Sequence, residues 1–300
     1  MATIAGDSTS TGRAKAEITV VDTNRGWRIL QRVLLYIILI LVALIFLIPL
    51  LWLVSTSLKP AAQLFTPQIE WVPRTITLEN YSRLFGSQQT PIARWFVNSL
   101  AIATISTVLV LTVDALAAYA YARMDFPGRN LLFGVMLLTL FVPGFMFLIP
   151  NFLTINYLHL INNWAGVILP GLAGVFGVFF LRQFFEGLPK ELEEAAMIDG
   201  ANPFQVFYKV VLPLSRPALA TLAVITFLAS WNDFLWPLLI LKDRNLQTLP
   251  PGLRTLQSAY TSEYGLIMAG AVLVAIPVLI LYMMLQRYIV QSIASTGLKG

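Results

Sequence analysis

A chain of 300 residues that is 57% hydrophobic and 12% charged, with a net charge of +5 and a mean hydropathy of +0.75, carries more apolar surface than a soluble domain can bury. It reads as a polytopic membrane protein, in which basic residues mark topology and lipid headgroups and no nucleic-acid partner is implied. There is no cysteine and His159 is the one histidine, which excludes disulfides and thiolate metal sites and leaves no catalytic residue, metal or cofactor to expect.

Residues 1–24 are polar and small, with Ser8, Thr9, Ser10, Thr11 and Gly12 in succession, and predict a disordered tail. A span needs about 20 apolar residues to cross about 30 Å of hydrocarbon. Six runs qualify, at about 33–55, 96–121, 131–151, 164–182, 218–241 and 266–286. The first begins at Val33 and is too long for a signal peptide. Pro143 and Pro150 interrupt the third, where a kink is expected. The runs are continuous and long, which favours an all-α protein of six transmembrane helices over a β-barrel. No internal repeat of the kind found in many secondary transporters is visible. The chain then divides into an N-terminal tail (1–30), a first span with a long loop (31–95), a core of five spans (96–286) and a closing tail (287–300).

Basic residues orient the spans. With the N-terminus inside, the inner segments hold Arg13, Lys15, Arg25, Arg28 and Arg32, then Arg123 and Arg129. They also hold Arg182, Lys190, Lys209 and Arg216, and finally Arg287 and Lys299. That is well over half of the twenty Lys and Arg residues. Both termini and the loop over 183–217 come out cytoplasmic.

That loop reads as two short helices joined by a turn. Pro189 suits the first helical position, and Glu191, Glu193 and Glu194 fall in early turns where carboxylates complement the helix dipole. Gly200 suits the left-handed position that ends a helix. Asn202 then caps a second helix with Pro203 at its first position. Phe204, Phe207, Tyr208 and Val211 share one apolar face at helical spacing. Pro213 and Pro217 close the element. Either the loop lies on the membrane surface, or the small Ala195 and Ala196 beside an acidic turn admit a docking partner, which the motif favours.

Glu194-Ala195-Ala196-Met197-Ile198-Asp199-Gly200-Ala201, continuing to Leu212-Pro213, resembles the EAA signature of ABC importer permeases. Asn98-Ser99-Leu100 and Ala117-Ala118-Tyr119-Ala120-Tyr121-Ala122-Arg123 in span 2 extend the likeness, as does Trp231-Asn232-Asp233-Phe234-Leu235-Trp236-Pro237 in span 5. So do Ser57-Leu58-Lys59-Pro60, Thr77-Leu78-Glu79-Asn80-Tyr81 and the terminal Gly297-Leu298-Lys299-Gly300. From about residue 25 onward the chain resembles carbohydrate permeases of the maltose type, in the binding-protein-dependent transport family. The resemblance implies the type I importer fold in a bacterial or archaeal cell membrane. It implies a second, homologous permease subunit, two ATPase subunits, an extracytoplasmic solute-binding protein and a sugar substrate. It assigns ATPase coupling to Glu194, Ala195, Ala196, Asp199, Gly200, Phe204 and Pro213, and suggests that the C-terminal tail reaches toward the ATPase. The chain has no G-x-x-x-x-G-K-[ST] loop with which to cradle ATP, so hydrolysis belongs to the partner.

Trp231, Asn232, Asp233 and Trp236 combine flat apolar faces with hydrogen-bonding groups and are candidates for the sugar path; the alternative is a scaffold that bonds neighbouring helices. Asp114 is the other intramembrane acid, with a structural contact or water exposure as its favoured role. Gly171, Gly174 and Gly177 in span 4 predict close helix packing, and the Ala117–Ala122 cluster reads the same way. His159 is read as a solvated loop residue. The competing functions are a proton-coupled secondary transporter using Asp114 and Asp233, and an ABC permease for glycerol phosphate or a polyol. The absence of Lys or Arg within spans 2 to 6 favours a neutral sugar.

Overall fold

The computed structural model describes residues 25–64, 70–87, 90–254 and 263–297, and all regular structure among them is helical. The predicted polar tail over 1–24 and the terminal Leu298-Lys299-Gly300 lie outside the described residues. The chain divides into a first unit ending at Leu51 and a second beginning at Trp52. Most of helix α1 (Arg25–Ser57) belongs to the first. From Val33 to Leu51 its side chains are apolar on every side and exposed, as in a helix built to meet lipid. At 1.5 Å per residue its 33 residues reach about 50 Å.

In the second unit α2 (Glu79–Gly86) leads into α3 (Ile92–Arg123), which runs 32 residues without a break. The helices α4 (Arg129–Leu138) and α5 (Leu148–Tyr157) follow, then α6 (Trp164–Ile168), α7 (Val175–Glu186) and α8 (Glu191–Ile198). Next, α9 (Pro203–Val206) passes through a π-helical turn at Phe207–Val211 into α10 (Leu212–Leu214). The chain closes with α11 (Arg216–Trp231), α12 (Leu235–Ile240), α13 (Leu249–Arg254) and α14 (Tyr264–Gly297). Among the described residues three helices are long and apolar enough to cross a membrane, or up to six if each bent pair is one span.

The bends have local causes. Between Arg129–Phe141 and Gly144–Tyr157 the chain turns by 98°. Val142, forced to extended backbone by the proline ring that follows it, has φ −86° and ψ 120°. The expected kink is therefore a full break at Pro143, while Pro150 sits harmlessly in the first turn of α5, where its missing N–H has no helical partner to lose. The fourth span bends by 48° between Gly171 and Val175. The predicted glycine stripe is thus split: Gly171 and Gly174 flank the bend, and Gly177 alone makes a close approach. The fifth run breaks at 232–234 instead of continuing to 241.

Three apolar clusters hold the second unit. Ala118, Leu181, Phe185, Val206, Val211 and Leu222 join α3 and α7 to the loop helices. Leu84, Trp95, Phe227, Trp231 and Leu249 join α2, α3 and α11 to α13, with Ala269 from α14. Ile102, Ile155, Ile168 and Ile240 gather α3, α5, α6 and α12. Polar side chains secure the segments between helices. Asn98 Nδ2 donates to the carbonyls of Asn245 and Gln247, both at 2.8 Å, and Ser99 Oγ accepts from Leu249 N–H at 2.7 Å. Asn80 Nδ2 donates at 2.9 Å to the carbonyls of Ser57 and Lys59. The Asn-Ser pair and the Ser57-Leu58-Lys59 and Glu79-Asn80-Tyr81 stretches therefore satisfy backbone that leaves its helix.

Asp114, on α3, is fully buried, and its carboxyl group lies against Gly174 and Gly177 at the start of α7. A Cβ on residue 177 would overlap Asp114 Oδ2. Gly177→Ala should therefore cost about 1–3 kcal/mol of overpacking, read as a lower thermal unfolding midpoint of the purified protein. Adding Asp114→Ala should recover part of the loss. Strictly additive effects of the two substitutions would rule out the contact.

Candidate functional site

The loop after α7 turns at Leu188-Pro189-Lys190. The Lys190 carbonyl accepts from the N–H groups of Glu193 and Glu194 at 2.9 and 3.0 Å, so α8 starts two residues after Pro189 and not at it. Glu191, Glu193 and Glu194 occupy its first turn. At the other end Gly200 has φ +87°. Its N–H bonds the Met197 carbonyl and the Ala201 N–H bonds the Ala196 carbonyl, both at 3.0 Å, the paired closure that a left-handed residue gives a helix. Open space surrounds the Gly200 Cα, so backbone conformation alone selects glycine there. Asn202 and Gln205 then cap α9 reciprocally, each bond 2.9 Å, with Pro203 first in the helix.

The single apolar face expected for Phe204, Phe207, Tyr208 and Val211 divides in two. Phe207 and Val211 enter the core with Val206, while Phe204 is 67% exposed and Tyr208 also faces out. The π-helical turn is the cause, because its wider spiral carries successive side chains away from a 3.6-residue stripe. The outer face of the loop carries Leu192, Met197, Ile198 (86% exposed), Phe204 and Tyr208. Glu194, Ala195, Asp199, Gly200 and Pro213 are exposed too, and Ala196 is half-buried against the core. Together they form an exposed apolar patch edged by carboxylates.

The inner face is held by two side chains one turn apart at the end of α3. The Tyr119 hydroxyl donates to the Pro203 carbonyl at 3.4 Å, and its ring lies 5.0 Å from that of Phe207. Arg123 Nε lies 2.7 Å from Glu193 Oε1, and both side chains are 6% exposed. Arg123 Nη2 also donates to the carbonyls of Phe185 (2.7 Å) and Leu188 (2.8 Å). These belong to the end of α7, where the Phe185 carbonyl also accepts from the Leu188 N–H at 3.0 Å, and to the turn beyond it. Sequence reasoning treats Arg123 as a topology marker and Glu193 as one first-turn acid among three. The four-residue spacing of Tyr119 and Arg123 at the end of an alanine-rich span is the signal it leaves unused.

A cavity lies where α11 ends. Asn232 Nδ2 donates to the Leu228 carbonyl at 3.0 Å and Asp233 Oδ1 accepts from Trp236 N–H at 3.3 Å. Two short polar side chains thus compete with helical bonding, and Pro237 offers no N–H to restore it. The cavity, about 340 Å³, is lined in part by Ser106, Asn151, Thr226, Ser230, Asp233 and Trp236. Trp236 is fixed by an indole bond to the Gly166 carbonyl at 3.2 Å. Trp231 lies apart from it: it is buried, stacks on Phe227, meets Phe96 edge-on and donates to the Val274 carbonyl at 3.1 Å. Neither Asn232, which is exposed, nor Asp114 lines the cavity. His159 is exposed, with a left-handed φ of 56°.

An all-α polytopic membrane protein with a self-capped surface loop and a polar cavity among its spans is the class that these features define. Residues 115–295, more than half of the chain, match the family described as the binding-protein-dependent transport system inner membrane component, and the chain belongs to that family. It is 39% identical over 261 residues to the arabinooligosaccharides transport system permease protein AraQ of Halalkalibacterium halodurans, covering 86% of this chain and 93% of that protein. It is 36% identical over 258 residues to the trehalose transport system permease protein SugB of Mycobacterium tuberculosis, covering 85% and 93%. A chain in the crystal structure of a bacterial ABC transporter involved in import of the acidic polysaccharide alginate superposes with a TM-score of 0.76 at 26% identity, covering 89% of this chain and 98% of that one.

The reciprocal cap on α9 supplies a direct test of the loop's self-sufficiency. Asn202→Ala should cost the loop about 1 kcal/mol, seen as faster hydrogen exchange at the Gln205 amide. Unchanged exchange would show that the cap is not what orders this helix.

Proposed function

We propose that this chain forms one transmembrane half of an ATP-driven, binding-protein-dependent sugar importer, and that Glu194, Ala195, Ala196, Asp199, Gly200, Phe204 and Pro213 present its loop to a separate ATPase. The observation that carries this reading is the loop: closed by its own bonds at both turns, buried on one face, and apolar with acidic edges on the other. The loop faces the side of the membrane that holds ATP, which is also the side that the basic residues favour. ATP closes the ATPase dimer, the loops move with it, and the spans exchange inward for outward access. A homologous permease completes the path, a second ATPase completes the motor, and a solute-binding protein delivers the sugar.

The sugar passes Asp233 and Trp236 at the cavity, while Trp231 and Asn232 serve the surrounding bundle. No Lys, Arg or His is among the residues lining the cavity, which favours an uncharged sugar over a phosphorylated one. Arabino-oligosaccharides and trehalose, named for two of the relatives, are uncharged.

Gly200→Leu places a side chain at a left-handed position. The chain should still insert, but the ATPase should no longer co-purify with it, and uptake of labelled sugar should fall at least about tenfold. Wild-type uptake with the ATPase retained would overturn the docking assignment. At the cavity, Asp233→Asn keeps shape and hydrogen bonding, so complex yield should hold while the transport KM changes severalfold. Normal transport by Asp233→Asn, together with collapsed yield for Asp233→Leu, would assign Asp233 to the scaffold instead.

A further inference from the structure

We infer that the Arg123–Glu193 pair is the joint that carries motion of the loop into the spans, making the end of α3, the end of α7 and α8 one rigid body. The inference rests on the reading of the loop as an ATPase dock.

Glu193 and Glu194 are adjacent in sequence but about 100° apart around α8. Glu194 is exposed and Glu193 is buried. The helix therefore separates two tasks: its outer side is free to meet a partner, and its inner side is committed to the core. The commitment is a single guanidinium. Arg123 reaches Glu193 on α8 through Nε, and through Nη2 it reaches the carbonyls of Phe185, within α7, and Leu188, in the turn before α8. Three consecutive pieces of chain are thus pinned to the last turn of α3 by one planar fork. Apolar contacts beneath the loop permit sliding, whereas the two hydrogen bonds from Nη2 and the buried charge contact with Glu193 set direction and register. Burial adds to the effect, since a surface pair yields easily but withdrawing one partner from a buried pair leaves an uncompensated charge. Tyr119, one turn earlier on α3, ties Pro203 in the same manner at the start of α9, so both halves of the loop are anchored to one helix. Arg123 and Glu193 are positioning residues in this account.

The chain has no cysteine, so spin labels can be placed singly at Gln183 on α7 and Glu191 on α8, both exposed. The test uses the assembled complex with its ATPase and binding protein in lipid, and measures the distance between labels with and without trapped ATP. In the wild-type background the distance distribution should not change on ATP binding. With Glu193→Gln or Arg123→Lys the distance should become ATP-dependent, and sugar moved per ATP hydrolysed should fall about tenfold, while the ATPase still co-purifies. Glu193→Asp, which retains the charge, should restore much of that ratio. A wild-type distance that shifts on ATP binding would overturn the joint and leave the docking reading standing. So would Glu193→Gln complexes with normal transport per ATP. The wild-type measurement decides even if the variants fail to assemble. Wild-type complexes that never retain an ATPase would remove the docking reading and the joint with it.

Discussion

A buried peptide group that leaves a helix must find another partner, and this requirement places several polar side chains of the second unit. Asn98 and Ser99 serve the segment 245–249, and Asn80 serves the chain that leaves α1. Asn232 and Asp233 take up backbone groups at the break after α11. Arg123 does the same for the end of α7. Each of these four places therefore comes with its own short or forked side chain. The stretches by which the sequence resembles carbohydrate permeases are largely these side chains together with the small residues that let helices approach them.

The loop obeys the same rule with one difference. Its turns close internally, through Gly200 and through the Asn202–Gln205 cap, so its attachment to the spans is free to be made by specific side chains. A buried ion pair is expensive to desolvate and is weak evidence for stability taken alone. Arg123 offsets part of that cost by setting its charge against Glu193 while its Nη2 donates to two carbonyls, those of Phe185 and Leu188. Val206, Phe207 and Val211 supply the apolar part of the attachment.

Much of this was legible in the sequence, and the omissions have a pattern. Continuous apolar runs locate α1, α3 and α14, and local chemistry locates the Gly200 closure and the Asn202 cap, because both depend on residues within a few positions. Hydropathy does not distinguish a straight span from a broken one. The bend at Gly171–Gly174 therefore read as a packing stripe, and the break at Asn232-Asp233 as mid-helix. The π-helical turn was hidden for a related reason: a helical wheel assumes the period it is meant to detect. The Arg123–Glu193 pair joins positions seventy residues apart, and a single sequence carries no sign of such a contact beyond a charge at the end of a span. Asp114 lay between these cases. Its burial was predictable from its place in a span, but its close fit to Gly177 was not.

The internal closure of the loop bears on how tightly a partner must hold it. A segment that orders only on contact forfeits part of its binding energy to lost conformational freedom. Here the corner at Gly200 and the start of α9 exist before any encounter, so little of that entropy remains to be lost. A modest patch built on Leu192, Met197 and Ile198 can then suffice for a specific grip. Partner choice can also drift by exchange of those outward side chains while the turns beneath them stay the same.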